Sequence, residues 1–116
     1  MKRIIIIMTC FLLLIMTGCS KKEEKSIKTL EDVLKENNYI VIDVRTKEEY
    51  DTGHVKDSLN IPYDEIEESI DLDKSKPILV YCRSGKRSSI AYQTLTSLGY
   101  EVFDLGAYDT VPLEKE

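Results

Sequence analysis

The sequence predicts an α/β domain of three layers, with a mostly parallel sheet covered by helices on both faces. Two observations carry this. The apolar, β-rich runs over residues 39–44 (YIVIDV) and 78–81 (ILVY) lack the polar alternation of a half-exposed strand, the composition expected of strands buried on both faces. Between such runs lie stretches that open on capping residues and close on Asn or Gly, and strands joined through helices pair in parallel.

The elements follow in order. Thr29-x-x-Asp32 is a capping-box pattern that opens a helix with Leu30, Val33 and Leu34 on one face, and Asn37-Asn38 ends it. Residues 39–44 form the first strand. Thr46-x-x-Glu49 is a second capping box, opening a short helix that Gly53 stops. A short strand over 59–62 is stopped by Pro62, and a short acidic helix is expected over 64–70. Strands over 78–81 and 100–105 flank a helix over 88–98, with Gly99 as its C-cap and Ile90, Ala91, Leu95 and Leu98 on one face. No internal repeat interrupts this, and the length suits one core rather than two.

The amino-terminal segment reads as targeting rather than fold. Lys2 and Arg3 precede an almost purely apolar run over 4–16. The run is shorter than the roughly 20 residues of a membrane-spanning helix and has the length of a signal-peptide core. It ends in Met16-Thr17-Gly18-Cys19, which resembles the lipobox of bacterial lipoprotein signals, with Met16 where Leu is commoner. In that pattern the cysteine is lipidated and becomes the first residue. The expected division is a lipoprotein signal peptide over 1–18, a lipidated Cys19 with a polar tether over 19–25, and one domain over 26–116. The domain is then extracytoplasmic and lipid-anchored to a bacterial membrane. The alternative is an ordinary secretory signal or an uncleaved anchor, with Cys19 incidental. Cys10 leaves with the signal and Cys19 is taken by lipid, so Cys82 is the only free thiol and no internal disulfide forms. A lone thiol is conspicuous in an oxidising compartment.

Without Lys2 and Arg3 the chain has 14 basic and 21 acidic residues, a net charge of −7, which argues against nucleic-acid binding. Asp64, Glu65, Glu67, Glu68, Asp71 and Asp73 read as a solvated acidic face. The one dense basic cluster of the domain is Arg83, Lys86 and Arg87, and a local cationic patch on an acidic protein suits a small anionic substrate.

That cluster lies in Cys82-Arg83-Ser84-Gly85-Lys86-Arg87-Ser88, between a buried strand and a helix. Backbone N–H groups converge in such a loop and the helix dipole favours an anion there. The thiolate is the reactive form of cysteine, so Cys82 is the candidate nucleophile. No second Cys or His stands at metal-ligand spacing from it, and no cofactor is expected.

Four segments together resemble the single-domain rhodaneses, a sulfurtransferase family. Ile42-Asp43-Val44-Arg45 is similar to the family's Asp-x-Arg at a strand end. Glu49-Tyr50-x-x-Gly53-His54-Val55 resembles Glu-Tyr/Phe-x-x-Gly-His-Ile, and Ser58-Leu59-Asn60-Ile61-Pro62 resembles Ala-x-Asn-Ile-Pro. The loop from Cys82 to Ser88 is similar to the active-site loop. The resemblance spans residues 26–108. It implies a three-layer α/β/α rhodanese-like domain with a mostly parallel sheet of about five strands.

It also implies a mechanism. Cys82 takes the outer sulfur of thiosulfate, a persulfide or a polysulfide as a cysteine persulfide and passes it to a thiol or cyanide, in two covalent transfers. Arg83, Ser84, Gly85, Lys86, Arg87 and Ser88 then bind substrate, with Arg83 and Lys86 attracting an anionic donor. Asp43, Arg45, Glu49 and His54 support the site, and Arg87 suits an ion pair with Asp43 or Glu49 better than substrate contact. His54, the only histidine, reads as packed or capping rather than as a general base. The dual-specificity phosphatases of the same fold place Arg after five residues; here four separate Cys82 from Arg87, a ring sized for one sulfur atom rather than for phosphate. The other readings are a non-enzymatic persulfide carrier or partner-binding lipoprotein, and, lacking a Cys-x-x-Cys pair, a thiol–disulfide oxidoreductase. The carboxyl end departs from the pattern. Leu105-Gly106-Ala107-Tyr108 replaces Leu-x-Gly-Gly and no Trp follows, so that wall of the pocket is expected to differ.

Overall fold

The structure, a computed structural model, describes residues 28–68 and 70–116. The expected signal peptide, the lipidated Cys19 and the tether lie outside these residues. Helix α1 (Leu30–Glu36) opens on the reciprocal Thr29–Asp32 capping box and closes on Asn37, whose φ of 50° is left-handed. Strand β1 (Ile40–Asp43) follows, then helix α2 (Lys47–Asp51) on its own box between Thr46 and Glu49. Strand β2 (Leu59–Asn60) leads to a 3-10 turn (Tyr63–Glu65). Strand β3 (Ile78–Cys82), helix α3 (Lys86–Ser97), strand β4 (Val102–Ala107) and a 3-10 turn (Tyr108–Thr110) complete the order.

The sheet runs β2-β1-β3-β4 with every pairing parallel, four strands among the described residues where about five were expected. Every residue of β3 is buried, which accounts for its unbroken apolar run. Side chains alternate across a strand, so β3 feeds two cores. Ile78, Val80 and Cys82 pack with Ala91 and Leu95 of α3 on one face. Leu79 and Tyr81 pack with Val33 of α1 and Val111 on the other. Neighbouring residues of one strand, Tyr81 and Cys82, therefore serve opposite layers. The carboxyl-terminal residues return antiparallel to the segment after α2, through His54 N to Glu116 O at 2.9 Å and Lys56 N to Glu114 O at 2.8 Å.

Three local expectations are corrected. The acidic helix over 64–70 is only the 3-10 turn Tyr63–Glu65, and Ile66 is already extended. Asp64, Glu65, Glu67 and Glu68 would stand three and four apart on a helix, where like charges repel. Helix α3 begins at Lys86, because Gly85 (φ 95°) caps it. Its buried face is Ser88, Ala91 and Leu95, while Ile90, one residue around the helix, is exposed. At its far end Gly99, also at φ 95°, lets Tyr100 N reach Leu95 O at 3.2 Å, the long bond of a Schellman closure.

Candidate active site

Cys82 ends β3 and its side chain is fully buried. The loop after it turns back over the sulfur. Gly85 N donates to Sγ at 2.9 Å, Sγ lies 3.6 Å from Ser88 Oγ, and Ser88 Oγ donates to Gly85 O at 3.0 Å. The left-handed backbone of Gly85 aims its amide inward, a conformation that costs any side-chain-bearing residue. Space is not the constraint, since a Cβ there would lie 3.6 Å from Gly106 Cα, an ordinary contact. Burial pushes the Cys82 thiol up, but the Ser88 hydroxyl and the amides of Ser88, Gly85 and Ser84 outweigh it, holding the thiol below its ordinary value of 9.0.

The other loop residues divide. Arg87 is paired with Glu49 by two parallel bonds, Nη1 to Oε1 at 2.8 Å and Nη2 to Oε2 at 3.1 Å. Arg83, Ser84 and Lys86 are exposed, and among the described residues neither Arg83 nor Lys86 makes an ion pair. Ser88 is buried against the sulfur.

Beneath the sheet end lies a buried ionic cluster. Asp43 accepts from Arg45 N at 2.9 Å, from Nη2 at 2.6 Å and from the Tyr81 hydroxyl at 2.8 Å. Arg45 reaches on to Gly53 O at 2.7 Å, and the Tyr81 hydroxyl oxygen (Oη) accepts from Val55 N at 3.0 Å. Burial pushes the Tyr81 hydroxyl up to about 12, so it stays protonated and donates to the carboxylate. The carbonyl of Tyr50 lies 2.9 Å from His54 Nδ1 and therefore accepts its proton, and the imidazole stacks on the Tyr50 ring at 3.8 Å. Asp43, Arg45 and His54 are engaged in bracing the fold.

A cleft of about 320 Å³ opens beside the loop, lined by Arg45, Glu49, Thr52, Arg83, Tyr108 and Asp109. A larger hollow of about 650 Å³ beside α2, lined by Thr46, Tyr50, Asn60 and Asp64 among others, includes no residue of the Cys82 loop. Of the two, only the smaller cleft includes a residue of that loop, Arg83, while Cys82 itself is buried and does not line it. Tyr108, in the segment expected to make an altered pocket wall, does line the cleft, and sequence reasoning missed Asp109 beside it. Tyr108 packs on Tyr81 with ring centroids 5.8 Å apart, under the Arg45 guanidinium at 4.5 Å. The available signal was the register. In a parallel sheet the residues after neighbouring strand ends flank one site, and Ala107 pairs with Cys82.

The family described as Rhodanese-like domain matches residues 26–109. Thiosulfate sulfurtransferase GlpE of Coxiella burnetii is 34% identical over 91 residues, covering 74% of this chain and 85% of that protein. Thiosulfate sulfurtransferase PspE of Escherichia coli is 40% identical over 62 residues, covering 51% of this chain and 60% of that protein. The chain spans 57% and 16% of the length of two further curated relatives. A solved rhodanese with anions from E. coli superposes with a TM-score of 0.62 at 34% identity, covering 67% of this chain and 96% of that one. With the parallel sheet, the Cys82 loop and the match over 26–109 in agreement, the chain belongs to the rhodanese-like domain family.

Proposed function

We propose that this chain is a sulfurtransferase that carries a sulfane sulfur from thiosulfate, a persulfide or a polysulfide to a thiol or cyanide through a Cys82 persulfide. The observation that carries the reading is the Gly85 amide at 2.9 Å from Sγ, with the neighbouring groups that hold the thiol low. A sulfur so placed ionises more readily than an ordinary thiol, and the thiolate is the form that attacks. With thiosulfate, the Cys82 thiolate bonds to the outer sulfur, the S–S bond breaks and sulfite leaves with the electron pair. The acceptor then attacks the outer sulfur of the persulfide and Cys82 leaves as a thiolate. Arg83 and Lys86 draw in the anionic donor, while Arg87, held by Glu49, shapes the loop. The thiosulfate sulfurtransferases among the relatives support this reading.

Cys82 is fully buried, so sulfur uptake requires the groups packed around it to yield. The same burial favours a second reading, a persulfide carrier that holds sulfur and turns over slowly. Intact-mass spectrometry of the full chain before and after thiosulfate or polysulfide tests both. Transfer predicts a gain of one sulfur atom, absent in Cys82→Ser and discharged by cyanide. A stable adduct that neither cyanide nor thiols discharge selects the carrier; no adduct from either donor rejects both.

The place of action is part of the proposal: a lipid on Cys19 would anchor the domain outside the cytoplasmic membrane. Cys19→Ala should then release the chain from the membrane fraction, and retention of that variant would reject the lipid anchor. Among the described residues no helix is long and apolar enough to cross a membrane.

A further inference from the structure

We propose that the cleft beside Cys82 takes an α-amino-acid thiol as sulfur acceptor, its carboxylate on Arg83 and its ammonium on Asp109. The inference rests on the sulfurtransferase reading above and names the acceptor class of that same site.

The two rims of the cleft are direct continuations of paired strand ends. Cys82 of β3 pairs with Ala107 of β4; the next residue on one side is Arg83, and on the other Tyr108 and Asp109, all lining the cleft. A ligand between these rims lies at the carboxyl ends of two neighbouring parallel strands, where such sheets bind ligands.

Charge decides what that ligand is. Four of the lining residues are ionic, and two are already committed. Arg45 is held by Asp43 and the Gly53 carbonyl, and Glu49 by Arg87. Arg83 and Asp109 are exposed and, among the described residues, make no ion pair. The uncommitted pair is one cation and one anion. A dianion such as thiosulfate complements Arg83 but meets the Asp109 carboxylate, whereas a zwitterion complements both. The volume, about 320 Å³, is at the lower end of small-molecule sites and suits an amino acid or a short peptide rather than a protein surface.

Asp109 is presented on a fixed support. Its 3-10 turn is closed by Thr110 Oγ1 on Ala107 O at 3.1 Å. Tyr108 is held by the Arg45 guanidinium at 4.5 Å, the Lys115 ammonium at 4.8 Å and the Tyr81 ring at 5.8 Å. In the transfer, the bound thiolate attacks the outer sulfur of the Cys82 persulfide. A new S–S bond forms on the acceptor, the Cys82–S bond breaks with its electron pair on Cys82, and an amino-acid persulfide departs. Charge and oxidation state balance with no further reagent.

The test is single-turnover discharge of the full chain preloaded with sulfur by polysulfide, followed by intact mass. Discharge by L-cysteine, cysteamine (no carboxylate) and 3-mercaptopropionate (no ammonium) is compared at equal thiolate concentration, each as a ratio to cyanide. The expected result is that cysteine exceeds both analogues by about threefold, the scale of one exposed ion pair. In Asp109→Lys, the cysteine and cysteamine ratios should fall by about tenfold while the 3-mercaptopropionate ratio rises; Asp109→Asn gives a smaller shift in the same direction. Three thiols discharging alike, or all three ratios moving together in Asp109→Lys, overturns the assignment and leaves the sulfurtransferase standing. A native preference for 3-mercaptopropionate over cysteine overturns it too. No sulfur gain by the native chain overturns the sulfurtransferase and the assignment together.

Discussion

Arg87 and Glu49 meet in a two-point ion pair, at 2.8 and 3.1 Å, that fastens the first turn of α3 to α2. Each partner has a second local task. Glu49 completes the capping box that starts α2, and Arg87 lies in the turn that folds the loop over Cys82.

The pair gives stability a defined pH dependence. Chiefly through the Arg87 bond, the Glu49 carboxyl is lowered from 4.5 to about 2 in the fold. Below 4.5 the unfolded chain takes up a proton that the folded chain refuses, so the contribution is full above that value and lost as pH falls towards 2. Arg87→Met should therefore cost about 1–3 kcal/mol at neutral pH. Most of that difference should vanish near pH 3, where the unfolded carboxyl is already protonated. Urea unfolding of both chains at the two pH values checks it; an equal difference at both would rule out the ionised pair as its source.

Cys82 should alkylate with a pH midpoint below its ordinary 9.0, because the Ser88 hydroxyl and three loop amides outweigh the opposing effect of burial. Ser88→Ala removes the hydroxyl that turns its proton from Gly85 O to Sγ when the thiol ionises, and should move the midpoint up. Absolute rates should remain slow for a thiolate, since the sulfur is buried. Iodoacetamide kinetics across pH give both quantities. A native midpoint at or above the ordinary value would remove the activated nucleophile from the proposed mechanism.

Much of this was legible from the chain, and the reasons differ by element. Both capping boxes and the doubly buried strands announce themselves because their causes are local: a hydroxyl three residues before a carboxylate, and an unbroken apolar run. The Cys82 loop was legible for the same reason, since its amides, glycine and cations are contiguous. The acidic stretch after β2 is not the expected helix, because its carboxylates would stand three and four apart, a repulsion that the length of the stretch does not announce. Tyr108 was legible as part of a wall only through the resemblance, and Asp109 was not legible at all, because its place depends on the pairing of Ala107 with Cys82. The same pairing carries the bulge after Val80, a non-local feature that residue spacing does not encode.

The buried cluster under the sheet end should be costly to break, because its charges are committed to one another. Tyr81→Phe deletes the hydroxyl that donates to Asp43 at 2.8 Å and accepts from Val55 N at 3.0 Å. A buried amide is left without its acceptor, at a cost of about 1–3 kcal/mol. Asp43→Ala leaves the Arg45 guanidinium, 5% exposed, without its counter-ion and should cost more, about 3–5 kcal/mol. Denaturant unfolding of the two variants checks the order; Asp43→Ala milder than Tyr81→Phe would mean that Arg45 finds another partner.

Two glycines separate backbone strain from function at the loop. Gly85 and Gly99 share φ 95°, and neither is crowded: an added Cβ would lie 3.6 Å from Gly106 Cα in one case and 3.5 Å from the flexible Lys74 Nζ in the other. Alanine at either position should thus carry a similar left-handed penalty, about 1–2 kcal/mol. Their amides differ in task. Gly85 N holds Cys82 Sγ, whereas Gly99 N bonds to Thr96 O at 3.1 Å at the far end of α3. If Gly85→Ala escapes strain by rotating its backbone, the amide turns away from the sulfur and the thiolate loses a donor. Gly85→Ala should therefore slow sulfur uptake by tenfold or more, about the weight of one charge-assisted bond, while Gly99→Ala loses only stability. Uptake rates measured alongside unfolding midpoints separate the effects, and equal slowing in both variants would mean that loop rigidity, not the Gly85 amide, governs the nucleophile.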